Sequence, residues 1–253
     1  MNNSFLNLVS IITPCYNSEQ FISRTIDSVV NQTYSNFELI IIDDCSNDNT
    51  VEIIKSFQSK DSRIKLVQLE INSGAAIARN RGLEIAKGRF IAFCDCDDIW
   101  FENKLEYQIN FMLEKFIPIS FTSYQLINEN GESLNKVINA IDRITHLEYL
   151  KNTIIGMSTS MIDTSLVKEF RFENIRTRQD TMLWITLLKR GHVAYGIKEV
   201  LVKYTVRSNS ISANKFKAAS KVWDLYYNME KMGLFKSSYY FIFYVFNAIK
   251  KRL

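Results

Sequence analysis

Short apolar runs alternate with segments of helical pattern over the first hundred residues, and this alternation limits the fold more than any other feature. Runs rich in β-branched residues cover residues 8–14, 37–43 and 64–70, and a fourth run, GRFIAF, ends at Phe93. Strands that alternate with helices of ten to fifteen residues are typical of a parallel sheet with right-handed crossovers. The sequence therefore predicts an α/β fold with a doubly wound, Rossmann-like, mainly parallel central sheet and helices on both faces.

The ends of the first two helices carry local signals. Ser18 is the expected N-cap of the first helix, because Phe21, Ile26 and Val30 fall on one face at helical spacing. Residues 47–49 supply turn and cap chemistry just before the predicted helix TVEIIKSF.

The second half of the chain has a less regular pattern. LEYQINFMLEKF indicates an amphipathic helix, ISFTSYQLI indicates a strand that leads to a turn at Asn130 and Gly131, and GMSTSMID indicates another strand. Residues 180–191 have the length of a helix that ends at Gly191. AYGI and LVKYTV then predict two strands, and a helical region follows to the C-terminus.

Polar residues follow each of the first four predicted strands. They occupy residues 13–17, 43–48, 72–74 and 95–98. In open parallel sheets ligands bind beyond the carboxyl ends of the strands, so we expect these four loops to converge on one binding site.

The last of these loops crowds Asp95, Asp97 and Asp98 into four positions. Three carboxylates at one strand end repel one another, and a hard divalent cation such as Mg²⁺ or Mn²⁺ prefers such oxygen ligands. The acids could instead cap the helix that follows, as short acidic motifs often do.

Composition narrows the function. The length of 253 residues and the apolar fraction of 47% suit one large α/β domain, and a net charge of +4 without a basic stripe argues against nucleic acid as a partner. The N-terminus resembles no secretory signal, so we expect a cytoplasmic protein with free cysteines, whose spacing also does not suit zinc. The loop TPCYNSEQ contains no glycine, which argues against a dinucleotide-dependent oxidoreductase.

The pattern TPCYNSEQFISRTIDSVVNQTYSNFELIIIDDCSNDNT followed by NSGAAIARNRGLEIAKGRFIAFCDCDDIW resembles the family 2 glycosyltransferases, inverting enzymes of the GT-A fold that use nucleotide sugars. The resemblance runs over residues 9–113 and continues more weakly through STSMID, RQDTMLW and YTVRSNSIS to residue 212. It implies a catalytic domain over residues 1–212, with a nucleotide-binding half at 1–115 and an acceptor-binding half at 116–212. Residues 213–253 would form a C-terminal helical extension.

The resemblance also implies a nucleotide site. Pro14 and Tyr16 match the segment that packs along the uracil ring, although Tyr16 could also be a core aromatic. Asp44 matches the acid that accepts a hydrogen bond from the uracil imide, with Asp43 as the second candidate. The remaining nucleotide contacts implied by the family motifs are Asn72 and Arg79, where Arg79 could instead form a surface ion pair.

The same resemblance implies which residues bind the metal and which residue is the catalytic base. It implies that Asp97 is the main metal ligand, that Asp95 faces the ribose or the metal, and that Asp98 is a bystander. The base would be Asp180, which stands four residues before Trp184 at the start of a helix; Gln179 replaces the glutamate that the family has before it. Helix capping is the structural alternative for Asp180.

A departure from the family pattern lies in YTVRSNSIS, where Arg207 holds the place of a histidine. A guanidinium does not ligate a metal but can bind a diphosphate through two parallel hydrogen bonds, so we expect Arg207 to contact phosphate. A loop arginine without a binding role is the alternative.

Taken together, the resemblance implies transfer of a hexose or N-acetylhexosamine from a UDP-sugar to a hydroxyl of a lipid-linked glycan acceptor. Such enzymes build bacterial surface polysaccharides such as O-antigen, capsule or exopolysaccharide, and a nucleotide-sugar-binding module without catalysis is the alternative. The aromatic run 239–246 is too short to span a bilayer. It could lie at the inner face of the cytoplasmic membrane as a peripheral contact, or pack on the domain.

Overall fold

A computed structural model describes residues 7–207 and 215–250. The strands are β1 (Val9–Cys15), β2 (Phe37–Asp43), β3 (Ile64–Gln68), β4 (Phe90–Phe93), β5 (Ile99–Trp100), β6 (Ile119–Ile127), β7 (Ser133–Ile138), β8 (Arg143–Ile144), β9 (Ser160–Asp163) and β10 (Ala194–Thr205). The helices are α1 (Ile22–Val30), α2 (Thr50–Gln58), α3 (Ala75–Ile85), α4 (Lys104–Lys115), α5 (His146–Lys151), α6 (Thr164–Val167), α7 (Gln179–Lys189), α8 (Lys215–Asp224) and α9 (Leu234–Lys250). A 3₁₀ turn at Met157–Thr159 precedes β9, and a π-helical turn at Leu225–Met229 follows α8.

These strands form one sheet in the order β3-β2-β1-β4-β9-β6-β10-β5, with β7 paired to β6 and β8 paired to β10. Strands β1 to β4 are parallel, as are β6 and β10, while β9 runs antiparallel between β4 and β6. Every residue of β1, β2 and β4 is buried, as expected for strands covered by helices on both sides. The predicted fold class is confirmed.

Each face of the sheet carries its own hydrophobic core. One core packs α1 and α4 against the sheet through residues such as Ile22, Ile26 and Leu105. The other contains α5 and α7, with Tyr149 and Trp184 at its centre. The helices that carry different parts of the expected site thus lie on opposite faces of the sheet.

Three local predictions are wrong. The side chain of Ser18 does not cap α1; its hydroxyl donates to the carbonyl oxygen of Tyr16, while its own carbonyl accepts the N–H groups of Phe21 and Ile22. β1 does not stop at Pro14 but continues to Cys15. AYGI and LVKYTV belong to a single strand, β10. The charged residues Lys198 and Glu199, which interrupt the apolar pattern, lie where the register of β10 with β6 is irregular.

A buried lysine connects α4 to the loop after β4. Lys104 is fully buried, its ammonium donates to Gln108 Oε1 at 2.8 Å, and it lies 3.8 Å from the ring centroid of Trp100. Burial lowers the pKa of Lys104 to about 7, and the neighbouring Cys94 acts in the opposite direction. Gln108 in turn donates to the carbonyl oxygen of Thr159, so Lys104 is linked through Gln108 to the 3₁₀ turn that precedes β9.

We expect this lysine to make stability depend on pH. The pKa of a lysine in the unfolded chain is about 10.4, so between pH 7 and 10 the unfolded chain binds more protons and stability rises with pH. The free energy of unfolding of the wild type minus that of Lys104→Met should therefore rise by about 1–2 kcal/mol from pH 6.5 to pH 8.5. Urea denaturation at both pH values measures this difference, and an equal difference at the two values would contradict the prediction.

The C-terminal helices join the core on the α7 side. Val222, Leu225 and Tyr226 are buried there, and Tyr226 donates to the carbonyl oxygen of Leu150 at 2.6 Å. Within the described residues, no helix combines the length and apolar character needed to cross a bilayer.

Candidate active site

The four predicted loops meet at the carboxyl ends of strands β1 to β4. We call this region, which contains residues 13–17, 43–48, 72–74 and 95–98, the site edge. Pro14 is buried within β1, whereas the side chain of Tyr16 is 44% exposed directly after it. Tyr16 is therefore a surface residue of the site edge rather than part of the core.

Asp44 organises the loop that precedes α3. Its carboxylate is buried, and its two oxygens accept the backbone N–H groups of Ser73 and Gly74, each at 2.7 Å. Gly74 has φ +91°, a conformation that favours glycine, so this loop is specified by its sequence. Each carboxylate oxygen retains a second lone pair, and Asp44 could therefore accept one further hydrogen bond.

Asp43 is also buried, and its carboxylate accepts hydrogen bonds from its own turn and, at 3.7 Å, from the thiol of Cys15 at the end of β1. It accepts the hydroxyl of Ser46 at 2.5 Å and the backbone N–H of the same residue at 3.1 Å. Asp43 thus closes the turn after β2.

Asn72 links the site edge to the segment that leads into α7. Its side-chain nitrogen donates to the carbonyl oxygen of Asp44 at 3.2 Å, and its side-chain oxygen accepts Arg176 Nη1 at 3.0 Å. Arg176 stands four residues before Asp180, and sequence reasoning did not identify it. An exposed arginine in an irregular segment carries no periodic signal that could have revealed it.

Arg79 and Asp95 form an ion pair at the centre of the site edge. Arg79 Nη2 lies 2.6 Å from Asp95 Oδ1, and the side chain of Arg79 is only 5% exposed. The pair is therefore buried on the arginine side, unlike the surface pair considered as an alternative. The other two guanidinium nitrogens, Nε and Nη1, are buried without a hydrogen-bond partner among the described residues.

Asp97 is the member of the acidic cluster with the weakest protein contacts. Its Oδ2 lies 3.6 Å from Arg207 Nη1, and no closer ion pair involves it among residues 7–207 and 215–250. Burial and the neighbouring Asp95 raise the pKa of Asp97 to about 6, while Arg207 acts in the opposite direction. A cation at this position would relieve the repulsion that raises this pKa.

Asp98, predicted to take no part in metal binding, has a structural position, because its buried carboxylate fixes the acidic loop through hydrogen bonds. It is buried, with Oδ2 accepting the hydroxyl of Ser158 at 2.5 Å and Oδ1 accepting the N–H of Thr205 at 2.9 Å. Ser158 also accepts the N–H of Asp95 at 2.9 Å. Burial, together with Asp97 and Asp95, raises the pKa of Asp98 well above its usual range. Asp98 therefore joins the acidic loop, the 3₁₀ turn and the end of β10.

Asp98→Ala should destabilise the fold by about 2–4 kcal/mol, because the Ser158 hydroxyl and the Thr205 N–H lose their acceptor in a buried place. Denaturant unfolding of the variant measures this loss. Asp142→Ala removes an exposed aspartate and serves as the control. A loss of less than about 0.5 kcal/mol, the range of ordinary surface substitutions, would contradict the structural role.

Asp180 lies in the first turn of α7 and is partly exposed. It does not cap the helix: the N-cap position is Arg178, in a left-handed conformation with φ 64°. The hydroxyl of Thr181 lies 3.4 Å from Asp180 Oδ1, and Trp184, four residues on, is fully buried. A carboxylate held at the start of an anchored helix, and open to solvent, can accept a proton from a substrate.

The residues at the site edge suit a cation that binds together with a substrate phosphate. Among the described residues, no three His, Cys, Asp or Glu side chains are grouped to hold one ion. Asp98 faces inward and Asp95 is paired with Arg79, so Asp97 is the carboxylate of this loop with the weakest protein contact. Mg²⁺ and similar ions are often held by one or two carboxylates, with water and phosphate oxygens completing the shell.

The model of Glycosyl transferase family 2 matches residues 10–182 of the chain. The chain belongs to this family. Its match covers the loops of the site edge and ends two residues after Asp180, whereas Thr205 and Arg207 lie beyond it.

Two curated relatives resemble nearly the whole chain. The putative teichuronic acid biosynthesis glycosyltransferase TuaG of Bacillus subtilis (strain 168) is 48% identical over 97% of this chain and 98% of its own length. The enzyme WfgD of Escherichia coli, named as a UDP-Glc:alpha-D-GlcNAc-diphosphoundecaprenol beta-1,3-glucosyltransferase, is 42% identical over 96% of this chain and 94% of its own. Both relatives are thus named as glycosyltransferases, one of teichuronic acid biosynthesis and one that acts on a diphosphoundecaprenol-linked sugar.

Among solved structures, S. aureus TarS in complex with UDP-GlcNAc superposes with a TM-score of 0.70 at 22% identity. The match covers 87% of this chain and 66% of the TarS chain. At this identity the likeness establishes the fold, and the chain has the GT-A fold.

Proposed function

We propose that this family 2 glycosyltransferase is an inverting enzyme that transfers a sugar from a UDP-sugar to a hydroxyl of a lipid-linked glycan acceptor. The observation that carries the proposal is the site edge, where Asp97 has only a 3.6 Å contact with Arg207 while Asp95 and Asp98 are held by closer protein partners. The name of WfgD, which contains both a UDP-sugar and a diphosphoundecaprenol acceptor, supports the choice of substrates.

In this proposal the nucleotide occupies the loops after β1, β2 and β3. Tyr16 offers an exposed ring against the uracil, with Pro14 behind it, and the free lone pairs of Asp44 accept the imide N–H. Asn72 lies beside Asp44 and is held by Arg176, so the base is read by a loop that is already ordered.

The diphosphate lies next to the acidic loop. Asp97, with Asp95 beside it, would hold Mn²⁺ or Mg²⁺, which when bound stabilises the charge that develops on the leaving diphosphate. Arg79 keeps two donors unpaired within the described residues, and Arg207 can exchange its 3.6 Å contact with Asp97 for a phosphate oxygen.

Transfer requires a single carboxylate base. Asp180 accepts the proton of the acceptor hydroxyl while the hydroxyl oxygen forms a bond to the anomeric carbon and the bond from that carbon to the UDP oxygen breaks. Attack from the side opposite the leaving UDP inverts the anomeric centre, so an α-linked donor gives a β product. Its partly exposed position in the first turn of α7 supports this role for Asp180.

The function is tested by incubating the protein with a panel of UDP-sugars, a GlcNAc-diphosphate lipid and Mn²⁺, and measuring UDP release together with the new lipid-linked product. We expect one UDP-sugar to give a β-linked product. Binding of UDP-sugars without transfer or hydrolysis would favour a non-catalytic nucleotide-sugar-binding module.

We also propose that α9 attaches the enzyme to the inner face of the cytoplasmic membrane. Its inner face packs on the domain through Tyr240, Phe241 and Tyr244. On its outer face five large apolar side chains recur at helical spacing and are 49–89% exposed: Phe235, Tyr239, Ile242, Phe246 and Ile249. We call these five residues the α9 stripe. The helix is therefore apolar on all sides in sequence because one side packs on the domain, while the other side is an exposed apolar surface.

Cationic residues beside the α9 stripe favour an anionic lipid surface as its partner. Lys231 and Lys236 are exposed near the start of α9, and the ammonium of Lys151 lies about 5 Å from the ring centroids of Tyr239 and Phe243. Apolar rings at headgroup depth with lysines beside them match the interfacial region of an anionic bilayer.

We expect the variant Ile242→Glu/Phe246→Glu to lose binding to vesicles that contain phosphatidylglycerol, while its activity on a water-soluble acceptor is kept. Vesicle co-sedimentation at low salt measures the binding. Phe116→Glu, which changes a side chain 80% exposed elsewhere on the surface, is the matched control. If the wild type ignores vesicles and the α9 variant instead dissociates a dimer, the stripe contacts a second copy of the chain.

A further inference from the structure

We propose that Arg24 and Arg207 form a diphosphate-binding pair beside Asp97, and that Arg24 binds the phosphate group of the UDP-sugar that is farther from the nucleoside. This inference rests on the proposed function, because it takes the UDP-sugar as the ligand. Arg24 lies in the first turn of α1, outside the loops that carry the other nucleotide contacts.

Both guanidinium groups lie near the ring of Phe21. Its ring is buried just before α1, with the guanidinium carbon of Arg24 at 5.1 Å from the ring centroid and that of Arg207 at 4.7 Å. A single aromatic ring therefore lies within cation–π distance of two guanidinium groups, which places two positive charges near one side of Asp97.

The pair lies next to the proposed cation ligand. Arg207 Nη1 is 3.6 Å from Asp97 Oδ2, and the adjacent Thr25 donates its hydroxyl to the carbonyl oxygens of Cys96 and Asp98. Burial lowers the pKa of Arg24, and the charge of Asp97 acts in the opposite direction. The start of α1 is thus fastened to the acidic loop, with Arg24 in the electrostatic field of Asp97.

Arg24 carries donors that the protein leaves unused. Its Nε and Nη2 atoms are buried and have no hydrogen-bond partner in the described part of the chain. Buried donors without partners are rare in folded proteins. Nε and Nη2 share one edge of the guanidinium plane, which is an edge that binds two phosphate oxygens through parallel hydrogen bonds.

Two substrates contain a diphosphate, and the geometry favours the donor. α1 packs on the face of the sheet that carries α4, whereas Asp180, which must reach the acceptor hydroxyl, begins a helix on the opposite face. Asp97 is the proposed ligand for the cation of the donor diphosphate, and Arg24 and Arg207 lie on the α1 side of Asp97.

The test compares calorimetric binding of UDP and UMP, in the presence of Mn²⁺, by the wild type, Arg24→Gln and Arg81→Gln. We expect Arg24→Gln to weaken UDP binding by about tenfold or more and to leave UMP binding within about twofold, since UMP lacks the phosphate in question. Arg81→Gln removes an exposed arginine of α3 and should change neither affinity. Arg24→Lys keeps the charge and should restore part of the UDP affinity, and it carries the test if Arg24→Gln does not fold.

Three outcomes would overturn the inference while leaving the proposed function intact. One is an unchanged UDP affinity in Arg24→Gln, and another is an equal loss for UDP and UMP, which would indicate general damage to the nucleotide site. The third is an unchanged UDP affinity together with a raised KM for the GlcNAc-diphosphate lipid, which would assign Arg24 to the acceptor. A wild type that binds neither UDP nor UMP would instead contradict the proposed function itself.

Discussion

Asp180→Asn should lower kcat for sugar transfer by about 10²–10⁴-fold and leave the Kd for UDP unchanged. The amide has the shape of the carboxylate but cannot accept the proton of the acceptor hydroxyl, so the loss is confined to the chemical step. Asp180 is partly exposed and its side chain does not cap α7, and the substitution should therefore leave the fold intact. Product formation under saturating donor, together with calorimetric binding of UDP, measures the two quantities.

The control for this experiment is Asp142→Asn. Asp142 is exposed, its partner Lys198 is also exposed, and neither residue belongs to the proposed site. The same chemical change at Asp142 should therefore leave kcat unchanged. If Asp180→Asn lost UDP binding and thermal stability along with activity, Asp180 would have a structural role. If it kept full activity, another group would have to serve as the base.

Asp97→Asn should abolish the part of UDP binding that depends on Mn²⁺ and lower transfer by at least about a hundredfold, since a bound divalent cation contributes several kcal/mol to stabilising the leaving diphosphate. The reason lies in the loop: Asp95 is paired with Arg79 and Asp98 faces inward, so neither carboxylate can readily replace Asp97. Titration of UDP with Mn²⁺, and again after removal of the metal with EDTA, measures the effect.

Asp61→Asn provides the matched control, because Asp61 is a partly exposed aspartate whose guanidinium partner, Arg63, lies on the surface near β3. We expect it to bind UDP and Mn²⁺ as the wild type does. Equal UDP binding with and without metal in the wild type would remove the cation from the proposal, and Arg79 and Arg207 would then carry the diphosphate.

The parallel half of the sheet was predictable because its strands are buried on both sides. A continuous apolar run is stable only as a strand that helices cover on both faces. For β2 the observed bounds, Phe37–Asp43, are those predicted from the sequence. Short elements such as β5 and α6 were not predicted, because a strand of two residues or a helix of four is too brief to show a period. The single strand β10 was divided into two, since its irregular register breaks the alternation from which a strand is recognised.

The site residues divide in the same way. Asp95 and Asp97 stand out in sequence because acids at a strand end need an explanation, whereas the role of Asp98 depends on Ser158 and Thr205, which are 60 and 107 residues away along the chain. Arg24 is one polar residue of an amphipathic helix, and nothing in the sequence pattern distinguishes it. Its approach to Phe21, and the lack of a partner for its buried donors among residues 7–207 and 215–250, are visible only in three dimensions.

By itself the sequence determined the alternation of strands and helices, and with it the edge at which polar loops must meet, because hydrophobic period and parallel topology follow from local residue order. The tertiary structure alone decided which of the three neighbouring acids has the weakest protein contact. That choice depends on partners contributed by α3, the 3₁₀ turn and β10. The local sequence pattern cannot reveal such partners, because hydrogen bonds between segments distant in sequence form only when the fold brings those segments together.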